Sequence, residues 1–277
     1  MSLPEPREQD LLAGRLLHNH RHLPEHTDEN TSRVVFAHGL FGRGRNWDQI
    51  GKALTAEGAI SIQLDLPNHG QSHWTDEFDY VQLADQLAGF IRREGPSVLV
   101  GHSMGGKISM LAALRHPDLI SKLVVVDIPP GDSAGISNFS KYIDDLLSID
   151  LAGLRSRRDA EEQLAARESS AMVRAFLLQN LRRTDGWSWE PNLELLRRSL
   201  PEIGGWPGYD GPPYEGPVLW LNGADSPYVQ PEHDELMREL FPATRQVRVK
   251  GAGHWVHSQK PELVTAILTQ FVFGGTP

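Results

Sequence analysis

A serine between two glycines is the strongest sign of chemistry in this sequence. Residues 101–105 read Gly-His-Ser-Met-Gly, which matches the G-x-S-x-G pattern of a strained strand-to-helix turn that exposes a nucleophile. The motif directly follows a short apolar run and directly precedes a stretch with helical spacing. Glycines two residues to either side allow the backbone to approach itself closely in such a turn. We therefore predict that Ser103 is a nucleophile at the carboxyl end of a strand.

A serine hydroxyl needs a base before it can attack at neutral pH. We expect His254 to be this base, because the segment Gly-Ala-Gly-His-Trp places it on a glycine-flanked loop after the last predicted strand. His257, three residues later, is the less favoured alternative and is expected near the start of a helix. We expect His38 and His102 to make structural hydrogen bonds.

The chemistry also needs a carboxylate that accepts a hydrogen bond from Nδ1 of the histidine and fixes its tautomer. Two aspartates lie both in the expected chain order, between the serine and the histidine, and at the carboxyl end of a predicted strand. Asp127 ends the run Leu-Val-Val-Val-Asp, and Asp225 follows the next predicted strand. Both strand ends could supply the acid, so the residues alone leave the choice open.

Two backbone N–H groups are expected to bind the negatively charged oxygen that forms during acyl transfer. One belongs to Met104, at the positive end of the helix that follows the nucleophile. The segment His-Gly-Leu-Phe-Gly at 38–42 follows a predicted strand and is expected to supply the other. We assign it to Leu40, with Phe41 as the alternative, and we expect both side chains to line the acyl pocket.

Strands and helices must alternate to position these residues. The short apolar runs lie at 34–37, 60–64, 98–100, 123–126, 218–221 and 246–249. Their Val, Ile and Leu content is typical of parallel strands that are covered on both faces. The stretch 132–213 breaks the alternation and shows helical patterns without a convincing strand, so we predict a helical cap inserted into a core of 1–131 and 214–277. One or two early strands are predicted within 11–23.

The composition excludes several classes of protein. The 277 residues include no Cys, which excludes disulfides, thiolate metal sites and a cysteine nucleophile. The formal net charge of −9 argues against a nucleic-acid partner, whose phosphates require a basic surface. No run approaches the roughly 18 apolar residues of a membrane span. The first ten residues lack the order of a signal peptide, so we expect a cytoplasmic protein.

We expect no cofactor and no metal. His18, His20 and His22 would share one face of an early strand, and we interpret them as a polar edge rather than a metal site. Lys107 follows the nucleophile without the glycine pattern of a phosphate-binding loop, so nucleotide binding is not expected. Asp65 precedes the nucleophile in the chain and is out of order for the acid.

Six sequence blocks together resemble the α/β-hydrolase superfamily. The blocks are HGLFG, DLPNHGQS, GHSMGGK, VVDIPP, SPYV and GAGHWVH. More narrowly, they are similar to the YbfF-type bacterial esterases and their mitochondrial relatives, over residues 34–273. The resemblance implies an α/β-hydrolase fold, with a mostly parallel central sheet flanked by helices and an inserted helical cap. It also implies a serine hydrolase that cleaves carboxylic esters of short to medium acyl chains through an acyl-enzyme.

The resemblance also favours Asp127 as the acid. In most α/β hydrolases the acid follows the penultimate strand, but alignment of Pro227 and Val229 with that pattern puts Ser226 at the acid's usual place. YbfF-like esterases instead use the aspartate of their VDI-like block, which is Asp127 here. Asp225 stands where the family typically has Asn and remains the alternative acid.

Several related functions remain open at this stage. Thioesterases, carbon–carbon bond hydrolases and perhydrolases also use a serine nucleophile on this fold. A binding protein with a vestigial site is the alternative from another class. We expect a small-molecule ester as the partner, no nucleic acid, no membrane span, and a monomer or homodimer.

Overall fold

The computed structural model describes residues 3–14, 17–133 and 136–274, without the side chains at 136 and 137. The positions outside this range include both ends of the predicted core and parts of the predicted early strands and cap insertion. The strands are β1 (Asn19–His22), β2 (Arg33–Ala37), β3 (Ile60–Leu64), β4 (Ser97–His102), β5 (Ile120–Val126), β6 (Leu181–Arg183), β7 (Trp187–Trp189), β8 (Val218–Gly223) and β9 (Thr244–Val249).

Helices separate these strands along the chain. They are α1 (Glu8–Ala13), α2 (Asp48–Ala56), α3 (Tyr80–Glu94), α4 (Met104–Arg115), α5 (Ile136–Leu147), α6 (Arg157–Ala165), α7 (Ala171–Leu178), α8 (Leu193–Arg198), α9 (Leu200–Gly204), α10 (Asp234–Leu240), α11 (Val256–Gln259) and α12 (Pro261–Phe273). In the part of the chain that the structure describes, no helix is both long enough and apolar enough to cross a membrane.

Seven strands form one sheet in the order β1-β3-β2-β4-β5-β8-β9. β1 is antiparallel to β3, and the other neighbouring pairs are parallel. The register aligns the carboxyl ends of the central strands: Ala37 pairs with Gly101, and Val126 pairs with Leu221. The loops that follow β2, β4, β5 and β8 therefore meet at one edge of the sheet.

Both faces of the sheet are buried. Side chains alternate between the faces along each strand. Val35 and Leu99 pack into the layer that contains α3 and α4. Val34 and Val98 pack into the layer that contains α2 and α12. The prediction of a mostly parallel sheet flanked by helices is therefore confirmed.

The amino-terminal prediction was only partly right. Among the described residues of the range 11–23, the structure has one strand, β1, at the antiparallel edge of the sheet, and residues 11–13 belong to helix α1 instead. Glu8 and Asp10 favour this helix because they lie in its first turn, near the positive end of the helix dipole. α1 packs closely on α3: a Cβ at Gly89 would lie 1.9 Å from the carbonyl oxygen of Leu11.

The prediction of no strand within 132–213 was wrong. β6 and β7 pair in this stretch as an antiparallel hairpin, with Leu181 opposite Trp189. The turn contains Asp185-Gly186, and the N–H of Thr184 donates to the carbonyl of Gly186. An Asp-Gly dipeptide is a strong hairpin signal in sequence, so this feature was available and was overlooked.

The five helices between β5 and β8, with the β6–β7 hairpin, form a unit that we call the α5–α9 segment (residues 136–204). It contacts the carboxyl edge of the sheet, because Phe139 of α5 and Ile203 of α9 share a cavity with Ser103. The Tyr80 hydroxyl at the start of α3 donates to the Ile203 carbonyl at 2.6 Å. The segment therefore lies over the loops in which the candidate catalytic residues were predicted.

Candidate active site

Ser103 occupies a sharp turn between β4 and α4. Its φ of 52° and ψ of −120° are unusual for a residue with a side chain. Its N–H donates to the carbonyl of Val126 at 3.1 Å. A Cβ at Gly101 would lie 2.4 Å from the carbonyl oxygen of Gly105, and a Cβ at Gly105 would lie 2.4 Å from that of His38. Both glycines of the motif are therefore required by close backbone approach.

His254 connects the serine to a carboxylate. Its Nε2 lies 3.0 Å from Ser103 Oγ, and its Nδ1 lies 2.8 Å from Asp127 Oδ2. These contacts assign the proton to Nδ1, which donates to the carboxylate, and leave Nε2 free to accept from the serine hydroxyl. Asp127 is fully buried and the His254 side chain is 9% exposed. The structure thus brings three predicted residues into one hydrogen-bonded chain.

The Asp127 carboxylate is held by donors from the strand end beside it. Oδ1 accepts from the N–H of Gly223 at 3.0 Å, and Oδ2 accepts from the Ser226 hydroxyl. Asp225, the alternative acid, is exposed to solvent. The end of β8, where the alternative acid lies, thus supplies hydrogen-bond donors to Asp127. Ser226 was expected only as a non-acidic residue, and its contact with Asp127 was not predicted.

Aromatic rings surround the His254 imidazole. The Tyr228 ring stacks on it with a centroid distance of 4.0 Å and an interplanar angle of 20°. Burial raises the pKa of the Tyr228 phenol to about 12, so this hydroxyl stays protonated. His102 Nε2 donates to the His254 carbonyl at 2.9 Å, and burial lowers the pKa of His102 well below its usual value. The uncharged rings of Tyr228 and His102 therefore position the His254 imidazole. The role of Tyr228 was not predicted from the sequence.

His257, the alternative base, occupies a different environment. It is stacked on Trp47 at a ring distance of 4.3 Å and touches the edge of His102. Burial lowers the pKa of His257 to about 3. Its contacts are those of a packed core residue, whereas His254 reaches the serine.

The loop after β2 contributes Leu40 and Phe41. The N–H of Phe41 donates to His69 Nε2 at 3.3 Å and is therefore already used. The N–H groups of Leu40 and Met104 make no hydrogen bond within the described parts of the chain. Both are thus available for a ligand, as expected for the pair that would bind an oxyanion.

A small cavity lies beside Ser103. Its lining residues are Leu40, Ser103, Met104, Lys107, Ile128, Ser133, Phe139, Ile203 and Tyr228. Its volume of about 20 Å³ holds one water molecule or a group of similar size. Phe41 is fully buried beside this space, with its ring 6.0 Å from that of Phe139. A larger groove of about 510 Å³ lies at the amino ends of β8 and β9, away from the serine.

Lys107 joins the nucleophile helix to the α5–α9 segment. Its buried Nζ donates to the carbonyls of Gly204 and Gly205 at 2.7 and 2.6 Å. Burial lowers the pKa of Lys107 to about 7. The side chain is therefore committed to a structural contact between helix α4 and the end of α9.

Three other histidines that were considered above, His18, His22 and His38, have carboxylate or backbone partners. His18 Nδ1 lies 2.9 Å from Asp65 Oδ2, and His22 Nε2 lies 2.6 Å from Asp48 Oδ1. His38 Nε2 accepts from a backbone N–H at 3.0 Å. Across the described ranges, no group of three His, Cys, Asp or Glu side chains could hold a metal ion.

Comparisons with known proteins agree with this architecture. The family model described as the alpha/beta hydrolase fold matches residues 32–261, so the chain belongs to the α/β-hydrolase family. It is 38% identical over 253 residues to the sn-1-specific diacylglycerol lipase ABHD11 of Mus musculus, covering 88% of this chain and 82% of the relative. It is 30% identical over 245 residues to the esterase YbfF of Escherichia coli strain K12, covering 88% of this chain and 94% of the relative.

A solved structure shares the fold closely. The structure described as a marine microorganism esterase aligns with a TM-score of 0.86 and 31% sequence identity. The alignment covers 92% of this chain and 98% of that chain. The predicted resemblance to YbfF-type esterases within the α/β-hydrolase superfamily is confirmed.

Proposed function

We propose that this protein is a serine hydrolase of carboxylic esters, with Ser103 as nucleophile, His254 as general base and Asp127 as the acid that orients it. The observation that carries the proposal is the chain of contacts at 3.0 Å from serine to histidine and 2.8 Å from histidine to aspartate. The N–H groups of Leu40 and Met104 bind the oxyanion. The names of the similar proteins, which include esterases and a lipase, support the same class of reaction.

Acylation begins with proton transfer. His254 Nε2 accepts the hydroxyl proton as the Ser103 oxygen attacks the ester carbonyl. The imidazolium that forms is stabilised by the buried Asp127 carboxylate. The tetrahedral oxyanion accepts hydrogen bonds from the two unpaired N–H groups. His254 then protonates the leaving alcohol, and the acyl group remains on the serine.

Deacylation repeats these steps with water. His254 accepts a proton from a water molecule that attacks the acyl-enzyme, and the same N–H groups stabilise the second tetrahedral oxyanion. His254 returns the proton to the serine oxygen, and the carboxylic acid leaves. No step requires a cofactor, because the three side chains and the two N–H groups supply every proton transfer and the charge stabilisation.

The substrates in this proposal carry short to medium acyl chains. The cavity of about 20 Å³ beside Ser103 supports the short end of this range, because an acetyl methyl group fills it. We also infer that the insertion at 132–213, which contains the α5–α9 segment, acts as a cap on a core of 1–131 and 214–277. The cytoplasmic location and the oligomeric state, monomer or homodimer, stay predictions of the sequence.

Ser103→Ala tests the proposal directly. We expect hydrolysis of p-nitrophenyl acetate to fall at least about a thousandfold, because the nucleophile is lost. The circular dichroism spectrum should match that of the wild type. Ser258→Ala, which removes an exposed serine hydroxyl on α11, is the matched control and should keep full activity. Turnover by the Ser103 variant at the control rate would overturn the proposal.

The acid is tested by two isosteric variants. Asp127→Asn removes the acceptor for the His254 Nδ1–H, so we expect kcat to fall by about three orders of magnitude or more. Asp225→Asn changes an exposed side chain and should keep kcat within about twofold of the wild type. Steady-state kinetics on one ester would compare the two. An inactive Asp225 variant beside an active Asp127 variant would reverse the assignment.

A series of p-nitrophenyl esters tests acyl-chain length. We expect kcat/KM to be highest between acetyl and hexanoyl esters and to fall for longer chains, because the cavity beside Ser103 is small. Phe139→Ala enlarges that cavity and should shift the preference towards longer chains. A wild-type optimum on decanoyl or longer esters, or on a diacylglycerol, would contradict the proposed substrate range.

A further inference from the structure

The backbone around Phe41 is held by side chains on both sides. Its N–H donates to His69 Nε2 at 3.3 Å. Its carbonyl accepts from Asn180 Nδ2 at 2.8 Å and from Gln179 Nε2 at 3.3 Å. Phe41 has a φ of 60°, a left-handed conformation that is unfavourable for a residue with a side chain. These hydrogen bonds offset that cost and fix the loop that carries the Leu40 N–H.

His69 acts as a neutral acceptor in this arrangement. Its Nδ1–H donates to the carbonyl of Pro67 at 3.1 Å, which leaves the lone pair on Nε2 for the Phe41 N–H. Burial lowers the pKa of His69 to about 3. The core side of the loop is thus held by a contact between two loops at the edge of the sheet.

The other side of the loop is held by the α5–α9 segment. Asn180 lies between α7 and β6 and is fully buried. Its carbonyl accepts from the N–H of Glu190 at 3.0 Å, which fixes it within the segment. Gln179 is oriented in turn, because its Oε1 accepts from Asn46 Nδ2 at 2.9 Å. The Phe41 carbonyl therefore depends on donors that belong to a different unit of the fold.

One polar atom of this contact lacks a hydrogen-bond partner. Asn180 Oδ1 is buried without a hydrogen-bond partner among the described residues. An unpaired buried amide oxygen is unfavourable and would regain hydrogen bonds to water if the segment moved away. The cavity at Ser103, about 20 Å³, is smaller than a whole ester, and a movement of the segment would widen the access to the serine.

We propose that Asn180 is a positioning residue through which the α5–α9 segment completes the oxyanion hole when it closes. In the closed arrangement the Phe41 carbonyl is held and the Leu40 N–H points at the reacting oxygen. When the segment opens, the carbonyl loses its donors and the left-handed turn relaxes. Hydrolysis is therefore coupled to closure over the bound ester. This inference rests on the proposed esterase function.

Asn180→Ala tests the coupling through kinetics. We expect kcat for p-nitrophenyl acetate to fall about tenfold, while KM changes less than about threefold. This fall in kcat is smaller than the one expected when an oxyanion donor itself is removed. The affinity for a trifluoromethyl ketone, which forms a tetrahedral adduct with the serine, should fall by the same factor as kcat. Gln179 makes the longer of the two hydrogen bonds to the Phe41 carbonyl and is less buried than Asn180. Gln179→Ala should therefore lower kcat and ketone affinity by a smaller factor.

Arg198→Met is the matched control. It removes a different hydrogen bond between the segment and the core, from Arg198 Nη2 to the Asp76 carbonyl at 2.7 Å. We expect this variant to keep kcat and ketone affinity near the wild-type values. Equal losses in the Arg198 and Asn180 variants would show a general loosening of the segment and would overturn the positioning role.

Hydrogen–deuterium exchange separates this inference from the proposed function, because it needs no turnover. We expect the amides of residues 38–43 to exchange about tenfold faster in Asn180→Ala than in Arg198→Met, since the loop loses its external donors. If the wild type hydrolyses no ester, the proposed function fails. The difference in exchange rate between the two variants would still test whether Asn180 positions the loop. Equal exchange in the two variants would overturn it.

Discussion

Four consecutive strands of the sheet lead into left-handed turns at one edge, and the proposed chemistry depends on these turns. Within the described ranges, the non-glycine residues with positive φ are Phe41, Asn68, Ser103 and Asp127. They follow β2, β3, β4 and β5 in that order. The parallel register places the ends of these strands side by side, so the four turns lie at the same edge of the sheet.

These turns persist because neighbouring groups hold them. Asn68 exchanges two hydrogen bonds at 2.8 Å with Thr75. Asp127 accepts from donors at the end of β8, and Phe41 is held by the core on one side and by the α5–α9 segment on the other. Contacts with the surrounding fold thus offset the free-energy cost of these unusual backbone conformations. Strain of this kind is characteristic of sites whose geometry matters more than their stability.

Local signals explain why much of the site was predictable from sequence. The turn at Ser103 is recognised by its glycines, and His254 by its glycine-flanked loop after the last strand. The buried strands are recognised by short apolar runs. Each of these features is encoded within a few residues, so periodicity and turn chemistry were sufficient to find them.

Long-range contacts were not predictable in this way. The residues alone did not choose between Asp127 and Asp225, because the choice depends on which strand end approaches His254. Ser226 lies about a hundred positions from its partner Asp127 in the sequence, and Tyr228 lies about twenty-five positions from His254. Asn180 meets Phe41 across 139 positions. The β6–β7 hairpin had a local signal, its Asp-Gly turn, but was hidden among helical patterns.

The central claim is that His254 activates Ser103, and covalent labelling with a fluorophosphonate measures this most directly. After labelling, digestion and mass spectrometry identify the modified residue. The account predicts a single adduct on Ser103, formed at least about a hundredfold more slowly in His254→Ala. An adduct on another serine, or labelling of Ser103 at an unchanged rate without the histidine, would contradict it.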